Sequence, residues 1–187
     1  MTHPVKLHHR PANRWVEHVH PPIFARETTS AGTERLVAGL PVHQAAAIFT
    51  QLAGLTAPPY TLLYVLHAPR GEGEPGRYQS PDLDLAEFRA FMRRFGRYLA
   101  ADGRHDLWVH SREANATLVW DHHNLLYAYG PLDRFAEALA ARGFGPGRPS
   151  LDFEHVHHFR ARFDGAAAEL LARYEWLMTP LREGDYQ

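Results

Sequence analysis

Residues 105–144 read HDLWVHSREANATLVWDHHNLLYAYGPLDRFAEALAARGF, and their pattern decides the fold class. Ala116 to Trp120 and Leu125 to Tyr129 are short runs of β-branched, aromatic and aliphatic residues bounded by polar turn formers, so they read as a hairpin. The Asp121-His122-His123-Asn124 link suits a tight turn, because Asp and Asn side chains bond nearby backbone and tolerate unusual φ. His105 to Ser111 supplies the preceding strand of a three-stranded meander. Gly130-Pro131 stops the sheet, and Leu132, Phe135, Ala136 and Leu139 follow at helical spacing up to a stop at Gly143.

Outward from this stretch, Tyr60 to Ala68 is apolar on both parities, as expected of a central strand covered on two faces. Residues 69–81 are rich in Gly, Pro and Glu and read as a long loop or flap. Asp84 with Glu87 forms a capping box ahead of Leu85, Phe88, Phe91, Met92, Phe95, Tyr98 and Leu99, the strongest amphipathic helix pattern in the chain. Its other face carries Arg89, Arg93, Arg94 and Arg97, read as a solvated face.

Pro41 opens an earlier helix that ends before Pro58-Pro59, and residues 23–29 and 33–38 make two candidate strands. Residues 151–159 make a further strand and 166–178 a closing helix. The first 22 residues, proline-bearing and without sustained periodicity, read as a partly ordered arm docked by Trp15, and residues 23–187 as one domain.

The order from residue 60 onward, β-α-β-β-β-α-β-α, predicts an α+β fold. It would be a mostly antiparallel sheet with helices mainly on one face, a ferredoxin-like core with an N-terminal β/α extension. Such a layout leaves one sheet face for a ligand, a second subunit as in a homodimer, or the N-terminal segment.

Composition narrows the chemistry. The chain has 187 residues, 45% of them hydrophobic, enough for a substantial core. It has no cysteine, which excludes disulfides, thiolate metal sites and thiol nucleophiles together. No apolar stretch approaches twenty residues and the start lacks the apolar core of a signal peptide, so a soluble, cytoplasmic, bacterial-type protein without membrane partners is expected. Net charge is −1, and no RNA-binding aromatic signature occurs, so nucleic acid is not an expected partner. Lys6 is the only lysine; the arginine bias reads as a coding preference. Histidine is abundant: ionising all 14 would move the formal charge from −1 to +13.

His155 and His157 alternate on their strand and project from one face at His-x-His spacing. Two imidazoles so placed can chelate a divalent metal such as zinc or iron, with His110 or His67 as further ligands if their strands lie nearby. Ordinary hydrogen-bonded histidines on a polar sheet rim are the competing reading. Glu17-His18-Val19-His20 repeats as Glu154-His155-Val156-His157, read as shared composition. His122-His123 reads as a solvated turn, because adjacent strand residues point apart unless the turn bends them together.

Gly71-Glu-Gly-Glu-Pro-Gly76 matches a dinucleotide fingerprint formally but fits it poorly. Two glutamates would repel a pyrophosphate and Pro75 removes an N–H, although Arg70 and Arg77 remain candidate anion contacts. Trp108, Trp120, Tyr127 and Tyr129 could wall a ligand pocket. No G-x-S-x-G nucleophile elbow occurs; Asp82 with Asp84 reads as helix-start chemistry. His110 with Asp106 or Glu154 is the candidate general acid–base unit.

Three functions follow as expectations. The first is binding of a small molecule or protein partner through the sheet face and the 69–81 loop. The alternative is a hydrolase-like metal enzyme using the strand histidines. The third is a pH-responsive assembly or inhibitory protein.

Overall fold

The computed structural model describes residues 4–185. In chain order the strands are β1 (Leu7–His9), β2 (Val16–His18), β3 (Ile23–Thr28), β4 (Glu34–Gly39), β5 (Tyr60–Leu66), β6 (Gly76–Leu83), β7 (His105–Ser111), β8 (Ala116–Trp120), β9 (Leu125–Tyr129), β10 (Gly145–Pro146), β11 (His155–His157) and β12 (Leu177–Thr179). The α-helices are α1 (Ala45–Ala53), α2 (Leu85–Ala101), α3 (Leu132–Ala141) and α4 (Asp164–Leu171). The main sheet runs β10-β3-β4-β9-β8-β7-β5-β6-β12, and a small sheet runs β11-β1-β2. Among the described residues only the β10–β3 pair is parallel.

The expected α+β class and the mostly antiparallel sheet are both present. The sheet is larger than the ferredoxin-like core that the element order suggested, because strands from both flanks extend it to nine. The meander of β7, β8 and β9 forms in register, with Trp108 opposite Val119 and Val119 opposite Tyr127. Its alternation divides the sheet into two faces. Leu107, Val109, Leu118, Trp120, Leu126 and Ala128 pack into the core with Phe49, Phe88, Phe91, Phe95 and Phe135 from the helices. Trp108, Thr117, Val119, Tyr127 and Tyr129 line the opposite face, where a cavity of about 530 Å³ lies.

Helix α2 begins as its sequence dictates. The Asp84 carboxylate accepts the Glu87 N–H at 2.8 Å, and the Glu87 carboxylate accepts the Asp84 N–H at 2.8 Å. Its buried stripe fills the core, and Tyr98 and Tyr64 share a hydrogen bond of 2.7 Å across the layer.

Four segments differ from expectation. The proposed 69–81 loop is half strand, because β6 starts at Gly76 and pairs with β5. Pro81 is tolerated there beside a register shift, where the Ser80 hydroxyl accepts the Leu62 N–H at 2.9 Å in place of a backbone carbonyl. What remains of the loop is pinned: the Glu72 carboxylate, 1% exposed, accepts from Arg104 at 2.9 Å. A flap closing over a ligand is therefore replaced by a fixed connection.

The closing helix ends at Leu171, and β12 turns back along the outer edge of β6, giving that strand's backbone groups partners. The 151–159 strand contracts to three residues and joins the small sheet.

The arm is the fourth difference. Its strands β1 and β2 complete the small sheet, and Lys6 is buried, donating to the Asp121 carbonyl at 2.9 Å with its ammonium 5.0 Å from the Trp120 ring centroid. Residues 1–3 lie outside the described residues. Among the described residues no helix is long and apolar enough to cross a membrane.

Candidate metal centre

The β8–β9 turn carries the centre. The Asp121 Oδ1 atom accepts the N–H groups of His123 at 2.9 Å and Leu125 at 2.7 Å, while the Asn124 N–H donates to the Asp121 carbonyl at 3.1 Å. Asn124 has φ 64°, the left-handed region that Asn tolerates better than most residues. Its side chain is locked by the Trp120 indole N–H at 2.8 Å and by donation to the Ala100 carbonyl at 3.0 Å. The bend overcomes the usual opposition of adjacent side chains, and the His122 and His123 rings lie 4.1 Å apart. The turn is not solvated: His123 is 6% exposed.

The small sheet brings the partners. Leu7 of β1 pairs with His157 on one side and with His18 on the other, so the two Glu-His-Val-His segments flank the same strand. The His157 ring lies 4.8 Å from both His122 and His123, and the His155 ring 5.3 Å from His123. His20 reaches in from beyond β2, with Nε2 2.9 Å from the His123 carbonyl, and shares a 3.3 Å contact with His18.

One ring nitrogen from each of His122, His123 and His157 lies within 4.8 Å of the others, a spacing at which three imidazoles can hold one ion. Their tautomers follow from their neighbours. His122 Nδ1 lies 2.7 Å from Asp106 Oδ1 and His123 Nδ1 lies 3.0 Å from Asp121 Oδ2. An ionised carboxylate only accepts, so both Nδ1 atoms carry a proton, and in the neutral form of each ring the lone pair is on Nε2. Carboxylates behind imidazoles in this way orient metal-binding histidines and raise their basicity. His157 Nε2 is buried without a hydrogen-bond partner. His155 is oriented by its Nδ1, 3.0 Å from the Phe153 carbonyl.

Electrostatics favour the neutral form of His157 and His18 and the anionic form of Asp106. Burial, reinforced by His122, His123 and His155, pushes His157 down to about 2. Burial, with His20, His9 and His155, lowers His18 to about 4. Burial opposes ionisation of Asp106, but hydrogen bonds from His122 and His67 outweigh it and hold the carboxyl well below its ordinary range. Lys6 is lowered to about 8 by burial, against the pull of Asp121, Asp106 and Asp102.

This cavity of about 530 Å³, on the sheet face away from the core α-helices, has Asp106, Asp121 and His122 among its lining. Trp108, Tyr127 and Tyr129 also line it, whereas Trp120 turns to the core. Arg35 stacks 4.4 Å from the Tyr127 ring centroid and donates to the Tyr129 hydroxyl at 2.9 Å.

The other candidates are distributed differently. His67 joins the centre through its Nε2, 3.0 Å from Asp106 Oδ2. His110 is not brought to His157. It lies four residues along β7 from Asp106, about 13 Å of extended chain, and its Nδ1 sits 2.9 Å from the Thr117 hydroxyl. Glu154, with its side chain 62% exposed, pairs with Arg10 instead of serving as an acid or base beside His110. Arg70 pairs with Asp164 at 3.1 Å and does not line the cavity; Arg77 is engaged by Asp185. His122 and His123, which the sequence reads as a solvated turn, converge only through the turn's conformation, and Asp121 joins them through that same turn. The one local signal was an Asp two residues before a His in a turn, the spacing at which the carboxylate can reach both that residue's N–H and its ring.

Acid should unfold this protein early. The buried His105 is held well below its ordinary 6.5, chiefly by burial, and His157 and His18 are depressed as well. Below pH 6.5 the unfolded chain binds protons that the folded chain refuses, so stability falls as pH falls. A fully buried histidine contributes a slope of about 1.4 kcal/mol per pH unit. Asp106 adds a loss in the same direction, beginning as pH drops through its ordinary 3.8. Chemical denaturation of the chelator-treated protein from pH 7.5 to 5 should show stability declining below about 6.5; a flat profile would contradict the burial of these rings as neutral bases.

Comparison of the chain with protein-family models, with curated proteins and with solved structures finds no match.

Proposed function

We propose that this chain is a divalent-metal-dependent enzyme of hydrolytic type acting on a small molecule held on the open sheet face. One observation carries the reading: His122, His123 and His157 converge, two of them backed by carboxylates, where His122 and Asp121 border the 530 Å³ cavity. Three imidazoles suit zinc and also accommodate iron, nickel or copper, and leave a coordination position open. A bound divalent ion would lower the pKa of a coordinated water towards neutrality and so supply a nucleophile.

The protein's own groups do the rest. Asp106 and Asp121 hold His122 and His123 in the ligating tautomer. Trp108 and Tyr127 offer flat apolar surface for the body of a substrate, and the volume suits a metabolite-sized molecule. The binding reading keeps its sheet face and aromatic residues within this proposal but loses its mobile loop.

The test is titration of the untagged protein with zinc, followed by a screen of small esters, amides and lactones. The tightest zinc equivalent should disappear from His157→Ala and His123→Ala variants whose circular dichroism is unchanged, and turnover should vanish on chelation and return with metal. Zinc binding unaltered by both substitutions would sink the ligand assignment. Metal binding without any metal-dependent turnover would reduce the reading to a metal-binding protein.

A further inference from the structure

The three-imidazole group is not the whole donor set. A second group, His67, Asp106 and His122, also places one donor atom of each residue within 4.8 Å of the others, and His122 is the one residue common to both. Each member is fixed by a different element. Asp106 lies in β7 opposite Val65 of β5. His67 follows directly after β5, its N–H donating to the Arg104 carbonyl at 2.8 Å. His122 is held by the turn, and its own N–H donates to Asp106 Oδ1 at 2.7 Å.

Asp106 uses one oxygen for each ring: Oδ1 lies 2.7 Å from His122 Nδ1 and Oδ2 lies 3.0 Å from His67 Nε2. Protons occupy these short gaps when no ion is bound. A cation can take their place, because a carboxylate between two imidazoles is itself a ligand set of two nitrogens and an oxygen. His122 can serve both groups as an imidazolate: the second cation displaces its Nδ1 proton to solvent, so that Nδ1, 2.7 Å from Asp106 Oδ1, and Nε2 each offer a lone pair.

We infer that the centre binds two divalent cations, the second held by His67, Asp106 and His122, with His122 as the shared ligand. The inference rests on the metal reading above. The mixed nitrogen and oxygen donors favour zinc, iron(II) or manganese over a softer ion. Asp106 and His122 both line the cavity, so the second ion would stand on its border and could contact a substrate oxygen directly. Two ions flanking one cavity can stabilise the attacking and the leaving oxygen of a displacement together.

The experiment is metal content by elemental analysis after equilibration with zinc and removal of the excess, on the parent, His67→Ala and His157→Ala proteins. The expected contents are two equivalents in the parent and one in each variant, with unchanged circular dichroism. One equivalent in the parent, untouched by His67→Ala, would overturn the second site while leaving the first intact. None in the parent would overturn both, which separates failure of this inference from failure of the metal reading.

Copper(II) provides an independent readout. Two copper ions bridged by one imidazolate couple magnetically, so the doubly loaded parent should lose electron paramagnetic resonance intensity per copper. His67→Ala with one copper should give a full mononuclear signal. Full, uncoupled intensity from two coppers in the parent would overturn the shared-ligand arrangement.

Discussion

Replacing Arg104 with methionine is expected to lower the stability of the protein by about 3–5 kcal/mol, measured by urea denaturation at pH 7.5. The Arg104 side chain is 0% exposed, and so is that of Asp102, its main partner. Their guanidinium and carboxylate meet through two bonds, Nε to Oδ1 at 2.8 Å and Nη2 to Oδ2 at 3.0 Å. Arg104 also donates to Glu72 at 2.9 Å and to Asp164 at 3.0 Å. Methionine would retain much of the apolar stem but leave the carboxylates of Asp102 and Glu72 buried without their cation. The cost is that of uncompensated buried charge, and it exceeds what the intact network contributes over an apolar replacement.

That distinction is testable. Adding Glu72→Gln to Arg104→Met should recover part of the loss, because it removes one stranded charge. A loss below about 1 kcal/mol for the single substitution would mean that water reaches these carboxylates when the arginine is gone. The segment before β6, tied down by Glu72, should lose amide protection first. The Arg104 carbonyl receives the His67 N–H, so the effect should extend to that residue.

At the proposed metal centre, His157→Ala should weaken zinc binding at the three-imidazole site by more than about 100-fold, and Asp121→Asn by about 10–100-fold. The first removes a donor atom. The second leaves every donor in place and acts through a proton. Asparagine can keep its oxygen where Oδ1 accepts the N–H groups of His123 and Leu125, which preserves the turn. Its amide nitrogen would then face His123 Nδ1 as a donor where Oδ2 accepted at 3.0 Å. His123 must respond by moving its proton to Nε2, which removes the lone pair that would bind metal. Competition titration with a chromophoric chelator would read both affinities. Equal affinity in Asp121→Asn and the parent would show that His123 does not bind through Nε2.

The order of these effects bears on what local sequence can reveal. Helix α2 was legible end to end, because its apolar residues recur every three or four positions and its cap lies within four residues of sequence. The meander was legible for the same reason: alternation and turn chemistry are local. His155 and His157 were rightly expected on one side of a strand, since parity alone dictates it. Strand β6 was hidden by its glycine and proline content. Its pairing depends on β5, on Ser80 standing in for a carbonyl at an irregularity, and on β12 arriving from the far end of the chain.

By itself, then, the sequence determined the α+β class with its mostly antiparallel sheet, and the abundance of imidazole. It also excluded thiol chemistry. The tertiary structure alone decided which imidazoles meet. His122 and His123 converge because Asn124 adopts a left-handed conformation fixed by Trp120 and Ala100, and His157 reaches them because β11 pairs with β1 across nearly the whole chain. Ligand geometry is set by distances between residues remote in sequence, and periodicity carries no information about those distances until the core has packed.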